Sequence, residues 1–85
     1  MKEFTYTITD PEGIHARPAG MFVKEAAKFS CNVTIAKDGK EMDAKRIFGV
    51  MGLGVKQGQS VVLKTDGEDE EAAMEALSTY LKENL

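Results

Sequence analysis

The chain has 85 residues, of which 42% are hydrophobic and 29% charged, and its 11 basic and 14 acidic side chains leave a net charge of −3. A chain of this length forms one domain with a thin core, because it buries roughly 60% of its unfolded surface. The acidic balance argues against a nucleic-acid partner, and 7% aromatic residues with no Trp leave little for base stacking. We therefore expect residues 1–85 to be a single domain.

The number of cysteines and the hydropathy of the sequence indicate the compartment in which the protein functions. Cys31 is the only cysteine, so it cannot form the disulfide framework of a small secreted domain. No apolar run approaches the ~20 residues that a membrane span needs. The first ten residues also lack the apolar segment of a signal peptide. These features predict a cytoplasmic protein without membrane insertion.

The first elements are a strand and a helix. In residues 3–9, apolar Phe4, Tyr6 and Ile8 alternate with threonines, which predicts a half-buried strand. A turn is expected at residues 10–13, DPEG. Because Pro18 is tolerated only in the first turn of a helix, a helix should begin within residues 16–18. Its apolar stripe would comprise Ala19, Phe22, Val23, Ala26 and Phe29.

The rest of the chain alternates between short strands and helices. Asp38–Gly39 is a strong hairpin signal, and it joins strands expected at residues 32–36 and 40–44. A short helix at 46–52 and a strand at 60–65 follow. The closing helix is expected to start in the acidic cluster at residues 66–70, where the helix dipole favours anions. Its buried stripe would comprise Ala73, Leu77, Tyr80 and Leu81.

This order of elements predicts the fold class. Strands whose faces alternate between apolar and polar side chains need cover on one side only. Helices packed on that side give an α+β two-layer sandwich.

His15, the only histidine, lies where the first helix should begin. A lone histidine is usually a core or capping residue. However, the first N–H groups of a helix are unsatisfied and form an anion site with the helix dipole. Arg17 adds a charged donor fork suited to phosphate. Neutral imidazole is a good nucleophile near neutral pH and needs no activating base. The pattern favours a phosphoryl group carried on His15.

Other candidate sites are weak. A metal site needs three or four ligands, and one His with one Cys is too few, so no metal is expected. Residues 49–54, GVMGLG, do not follow a nucleotide-binding pattern. The short helix cannot bury Ile47, Phe48, Val50 and Met51 on one face. Core packing and an exposed docking patch are equally open for these side chains.

Residues 13–20, GIHARPAG, resemble the active-site signature of the HPr family, the histidine-containing phosphocarriers of the bacterial phosphoenolpyruvate:sugar phosphotransferase system. Residues 44–58 are similar to the family's second characteristic segment. The resemblance covers essentially the whole chain. It implies an open-faced β-sandwich, in which a four-stranded antiparallel sheet has three helices packed on one face.

The resemblance also implies a function and a site. Enzyme I, phosphorylated by phosphoenolpyruvate, would phosphorylate Nδ1 of His15, which would pass the group to IIA domains of sugar transporters. Arg17 and the amides of Ala16 and Arg17 would hold the phosphate. Such a carrier is expected to be a monomer without cofactors, and not an enzyme, because its partners consume and regenerate it. The docking surface would comprise Gly20, Met21, Lys24, Ile47, Phe48 and Met51.

Two positions depart from the family pattern. Glu12 stands where relatives often carry a small hydroxyl or amide residue, and an acid there would repel phosphate unless it turns to solvent. Arg46 stands where many relatives carry a regulatory serine, so control through that serine is not expected. The alternative function is a regulatory module of the same fold that docks on a transcription factor or an enzyme.

Overall fold

A computed structural model describes residues 1–85, which form seven elements. In chain order these are β1 (Lys2–Thr7), α1 (Ala16–Ala26), β2 (Asn32–Lys37), β3 (Lys40–Asp43), α2 (Ile47–Gly52), β4 (Ser60–Asp66) and α3 (Glu70–Asn84).

The four strands form one antiparallel sheet in the order β1-β4-β2-β3. The last strand of the sequence, β4, lies inside the sheet, where Leu63 is paired with Phe4 on one side and with Ile35 on the other. The three helices pack on one face of the sheet, where α3 contacts β1 and β4, α2 contacts β3, and α1 contacts both other helices. The α+β open-faced β-sandwich predicted from the sequence is confirmed.

The core lies between the sheet and the helices α1 and α3. Phe22 from α1 and Leu77 from α3 are fully buried against β-strand residues such as Val61. Tyr80, expected in the buried stripe, is half-buried, and its hydroxyl donates to the Pro18 carbonyl at 2.8 Å. This bond joins α3 to the first turn of α1. The structure contains no helix with the length and apolar character needed to cross a membrane.

The predicted ends of β2, β3 and β4 each differ from the structure by one residue, and those of β1 and α1 by more. β1 ends at Thr7 rather than at residue 9, although Ile8 is buried and its N–H donates to the Gln59 carbonyl at 2.9 Å. α1 ends at Ala26, so Phe29 lies beyond the helix and packs half-buried against the core. Both side chains still contribute to the core, although they lie beyond the ends of the strand and the helix.

Helix α3 begins at Glu70, the last residue of the acidic cluster in which its start is expected, and Asp66 at the other end of that cluster belongs to β4. Asp69 makes no capping hydrogen bond to its own helix. Its carboxylate instead accepts the backbone N–H groups of Ser30 and Cys31, each at 2.8 Å. These bonds, the one from Ser30 first, lower the pKa of Asp69 to about 2. Asp69 therefore holds the α1–β2 connection against the start of α3.

Candidate functional site

His15 is the N-cap residue of α1, with an extended backbone at φ −109° and ψ 177°. Its carbonyl accepts the N–H of Ala19 at 3.0 Å, and Pro18 has no N–H. The N–H groups of Ala16 and Arg17 lie in the first turn, where a helix offers no acceptor, and they have no hydrogen-bond partner within the molecule. The His15 side chain is 35% exposed and makes no capping bond. An accessible imidazole thus stands beside two free amide donors.

Gly13 fixes the chain just before His15. It is buried with φ +69°, and a Cβ there would lie 2.2 Å from the Val55 carbonyl oxygen. The next residue, Ile14, donates its N–H to the same oxygen at 3.0 Å. The structure requires glycine at position 13 because two backbone segments pack together at this point.

Two carboxylates face the imidazole. Asp10 Oδ2 lies 3.5 Å and Glu12 Oε2 lies 3.4 Å from His15 Nε2. The other oxygen of Asp10 accepts the Glu12 N–H at 2.8 Å, which orients that carboxylate. Glu12 is 73% exposed, yet its carboxylate points at the ring rather than away from it. The sequence pattern points only to His and Cys as possible ligands and does not reveal these oxygens, because a turn brings them together.

Arg17 and His15 line the same shallow cavity of about 260 Å³. Tyr80 and Asn84 of α3 also line this cavity, and no pattern in the sequence points to either as a site residue. Two larger depressions of about 480 Å³ lie beside β2–β3 and between α1 and α3, and neither contains His15. A group attached to an exposed ring needs no deep pocket, so the small cavity is the candidate site.

The expected docking residues lie on adjoining surfaces of α1 and α2. Phe48 is 87% exposed and Met21 is 57% exposed, whereas Val50 is buried in the core. A Cβ on Gly20 would lie 3.6 Å from Ile47 Cδ1, which shows how closely the two helices approach. The remaining members of this surface are exposed Lys24 and Met51. The short helix therefore buries one apolar side and presents the other to solvent.

Arg46 is the N-cap residue of α2 and makes no side-chain capping bond. Its Nε lies 3.6 Å from Asp43 Oδ2 in an exposed ion pair, which offsets part of its charge. No Ser, Thr or Tyr occurs in residues 35–59.

Fold and site together define a class of small α+β proteins that present one histidine at the start of a helix. The sequence model of the family described as "PTS HPr component phosphorylation site" matches residues 2–83. Among curated proteins, the phosphocarrier protein HPr of Lysinibacillus sphaericus is 46% identical over 83 residues, covering 98% of this chain and 94% of that protein. The chain therefore belongs to the HPr family of phosphocarrier proteins.

Solved structures give the same result. An HPr structure from Thermoanaerobacter tengcongensis has a TM-score of 0.92 and 48% identity, covering 96% of this chain and 92% of that one. The HPr-like protein Crh of Bacillus subtilis is also similar, at 47% identity over 73 residues, with 86% of each chain covered. Another T. tengcongensis structure is described as an HPr dimer, with a TM-score of 0.78, 47% identity and coverage of 98% and 95%. The monomeric state expected for this chain stays a prediction.

Proposed function

We propose that this chain, as a single HPr domain, accepts a phosphoryl group on Nδ1 of His15 from phosphorylated enzyme I and passes it to IIA domains of sugar transporters. The observation that carries the proposal is the pairing of an accessible imidazole with two unpartnered helix amides, those of Ala16 and Arg17. Helix N-termini bind phosphate through such amides and through the helix dipole.

The chemistry needs only the imidazole and anion donors. The lone pair of Nδ1 attacks phosphorus, and the bond from phosphorus to the donor breaks with its electron pair returning to the donor. The amides of Ala16 and Arg17 and the exposed guanidinium of Arg17 stabilise the charge on the phosphoryl oxygens. The reverse step hands the group to the next partner. The protein is regenerated by its partners, so it acts as a carrier without a cofactor rather than as an enzyme.

Partner docking is assigned to the exposed side of α1 and α2. Phe48 and Met21 offer exposed apolar area, Met21 also lines the cavity that contains His15, and Lys24 adds a positive charge. Methionine adapts to differently shaped surfaces, which suits a carrier that must meet a donor and several acceptors.

The test is phosphorylation with purified enzyme I and phosphoenolpyruvate. The wild-type chain should gain one acid-labile phosphoryl group, detected by intact mass, and lose it on addition of a IIA domain. His15→Ala should gain none and should unfold at nearly the wild-type denaturant midpoint, because the side chain is partly exposed and has no hydrogen bond. Labelling of His15→Ala would contradict the proposal.

A second candidate function is regulatory docking on a transcription factor or an enzyme. It is favoured by the apolar side chain of Phe48, which is almost fully exposed, and by the presence of HPr-like Crh proteins among the relatives. One of these is described as a catabolite repression protein. A regulatory module alone would take no label from enzyme I, so the same assay separates the two functions.

A further inference from the structure

Three ligand atoms that make no hydrogen bond converge at the start of α1. They are Nε2 of His15, Oδ2 of Asp10 and Oε2 of Glu12, and all three lie within 4.8 Å of one another. We propose that they form a binding site for a divalent transition-metal ion of the zinc type, and that the bound ion blocks phosphoryl acceptance by His15. The metal site stands on its own geometry, whereas the block rests on the proposed function.

The distances fit metal ligation better than hydrogen bonding. Both carboxylate oxygens lie 3.4–3.5 Å from Nε2, beyond the ~3.2 Å limit of an ordinary hydrogen bond. Tetrahedral zinc with ligands at 2.0–2.2 Å places neighbouring ligand atoms about 3.4 Å apart. The existing spacing therefore needs little adjustment around Nε2 when an ion enters.

The site is partly organised before any ion enters. Asp10 accepts the Glu12 N–H with one oxygen, which leaves Oδ2 directed at the imidazole. The main chain on either side is fixed as well, because the Asp10 carbonyl accepts the Gly13 N–H at 2.9 Å. Neither carboxylate forms an ion pair with Lys or Arg, so no other cation has to be displaced.

The ligand set indicates which ion would be favoured. One imidazole nitrogen and two carboxylate oxygens suit zinc and other transition metals, whereas Mg²⁺ prefers an octahedral shell of oxygen atoms and water. Three protein ligands leave the fourth tetrahedral position open to water. Two carboxylates outweigh the charge of Arg17, which lines the same cavity, together with the partial positive charge of roughly +0.5 at the start of α1, so the site attracts a dication.

A metal ion bound at Nε2 would prevent the other ring nitrogen, Nδ1, from acting as the nucleophile. A neutral imidazole has one N–H and one lone pair. When the lone pair at Nε2 is given to a metal, the proton resides on Nδ1, which then has no lone pair for phosphorus. No bond is broken by the ion, and its removal by a chelator restores the free ring.

The binding test is a titration of untagged protein with ZnCl₂ in a non-chelating buffer, followed by calorimetry and by amide NMR. One ion should bind, with shifts centred on residues 10–17. Glu12→Gln and His15→Gln should each weaken binding at least about tenfold, because each removes a ligand. The control Glu83→Gln, at an exposed position on α3, should bind zinc as the wild type does. Unchanged binding by both ligand variants, or equal affinity for Mg²⁺, would overturn the proposal.

The block is tested by comparing labelling rates with and without zinc. Zinc should slow labelling of the wild type and have a much smaller effect on Glu12→Gln, and a chelator should restore the wild-type rate. Equal slowing of both proteins would place the zinc effect on enzyme I and overturn the block. If the wild type takes no label without zinc, the proposed function fails while the zinc titration still decides the metal site.

Discussion

Replacing Phe48 with alanine should leave the fold nearly as stable as before and weaken partner binding. Phe48 is 87% exposed, so about one eighth of its surface is covered in the folded chain. A phenylalanine buries about 150–250 Å² when fully enclosed, which puts the covered part at roughly 20–30 Å². At about 25 cal/mol per Å², the lost burial amounts to ~0.5–0.8 kcal/mol.

A second effect acts in the opposite direction. Alanine has a better helix propensity than phenylalanine by about 0.5 kcal/mol, and Phe48 lies in α2. The net change in the free energy of unfolding should therefore stay within about 0.5 kcal/mol. Phe22→Ala provides the matched comparison, because Phe22 is 1% exposed in α1. That truncation should cost about 3–5 kcal/mol.

Urea denaturation of both variants measures stability, and titration of fluorescently labelled protein with enzyme I measures binding. For Phe48→Ala we expect an almost unchanged midpoint and a clearly weaker complex. A stability loss of more than ~2 kcal/mol would show that Phe48 packs in the core in solution. Unchanged affinity with unchanged stability would remove Phe48 from the docking surface.

Three further predictions concern single side chains. Arg17→Ala should slow phosphoryl transfer about ten- to a hundredfold in a quenched time course, because a charge-assisted hydrogen bond contributes roughly 1.5–3 kcal/mol. An unchanged rate would mean that the helix amides stabilise the phosphoryl group without Arg17. The pKa of Asp69 is lowered to about 2, below its unfolded value, so its stabilising effect is present above pH ~4 and is lost as the pH falls toward 2. Asp69→Asn should therefore reduce the dependence of unfolding midpoints on acid pH, and an unaltered profile would rule out this role. With ATP and the kinase that modifies a serine in relatives, the wild type should take no acid-stable phosphate in residues 44–54, whereas Arg46→Ser should take it.

The fold could be predicted because its signals are local. Alternation of Phe4 and Tyr6 with threonines specified the first strand, and Pro18 specified where α1 begins. The first residue of α3 within the acidic cluster could not be predicted in the same way. Acidic residues are favourable at the start of any helix. The sequence does not show that the Asp69 carboxylate accepts the N–H groups of Cys31 and Ser30, which lie 38 and 39 residues earlier in the chain. Burial of Tyr80 was overestimated because helical spacing does not reveal that its hydroxyl reaches Pro18.

The candidate site was only partly predictable for the same reason. His15 and Arg17 have fixed offsets from the helix start, so their placement follows from α1 alone. The orientation of Glu12 depends on the geometry of the turn, which brings its carboxylate to the imidazole of His15. Residues three apart in a turn have no fixed relative position, so this contact could not be predicted from the sequence. The close approach of Gly13 to Val55 joins two loops far apart in sequence, and no periodic pattern encodes it.

The position of β4 has a consequence for synthesis of the chain from its N-terminus. β1 has no strand partner except β4, and β2 meets only β3 and β4. Until Ser60–Asp66 has emerged from the ribosome, the β2–β3 hairpin is the only piece of sheet that can form, and an isolated hairpin is marginally stable in water. The nascent chain should therefore stay largely unfolded through most of its translation and fold in one late step. The histidine near its beginning acquires its final setting only then, because the carbonyl of Val55 that receives Ile14 N–H lies just ahead of β4.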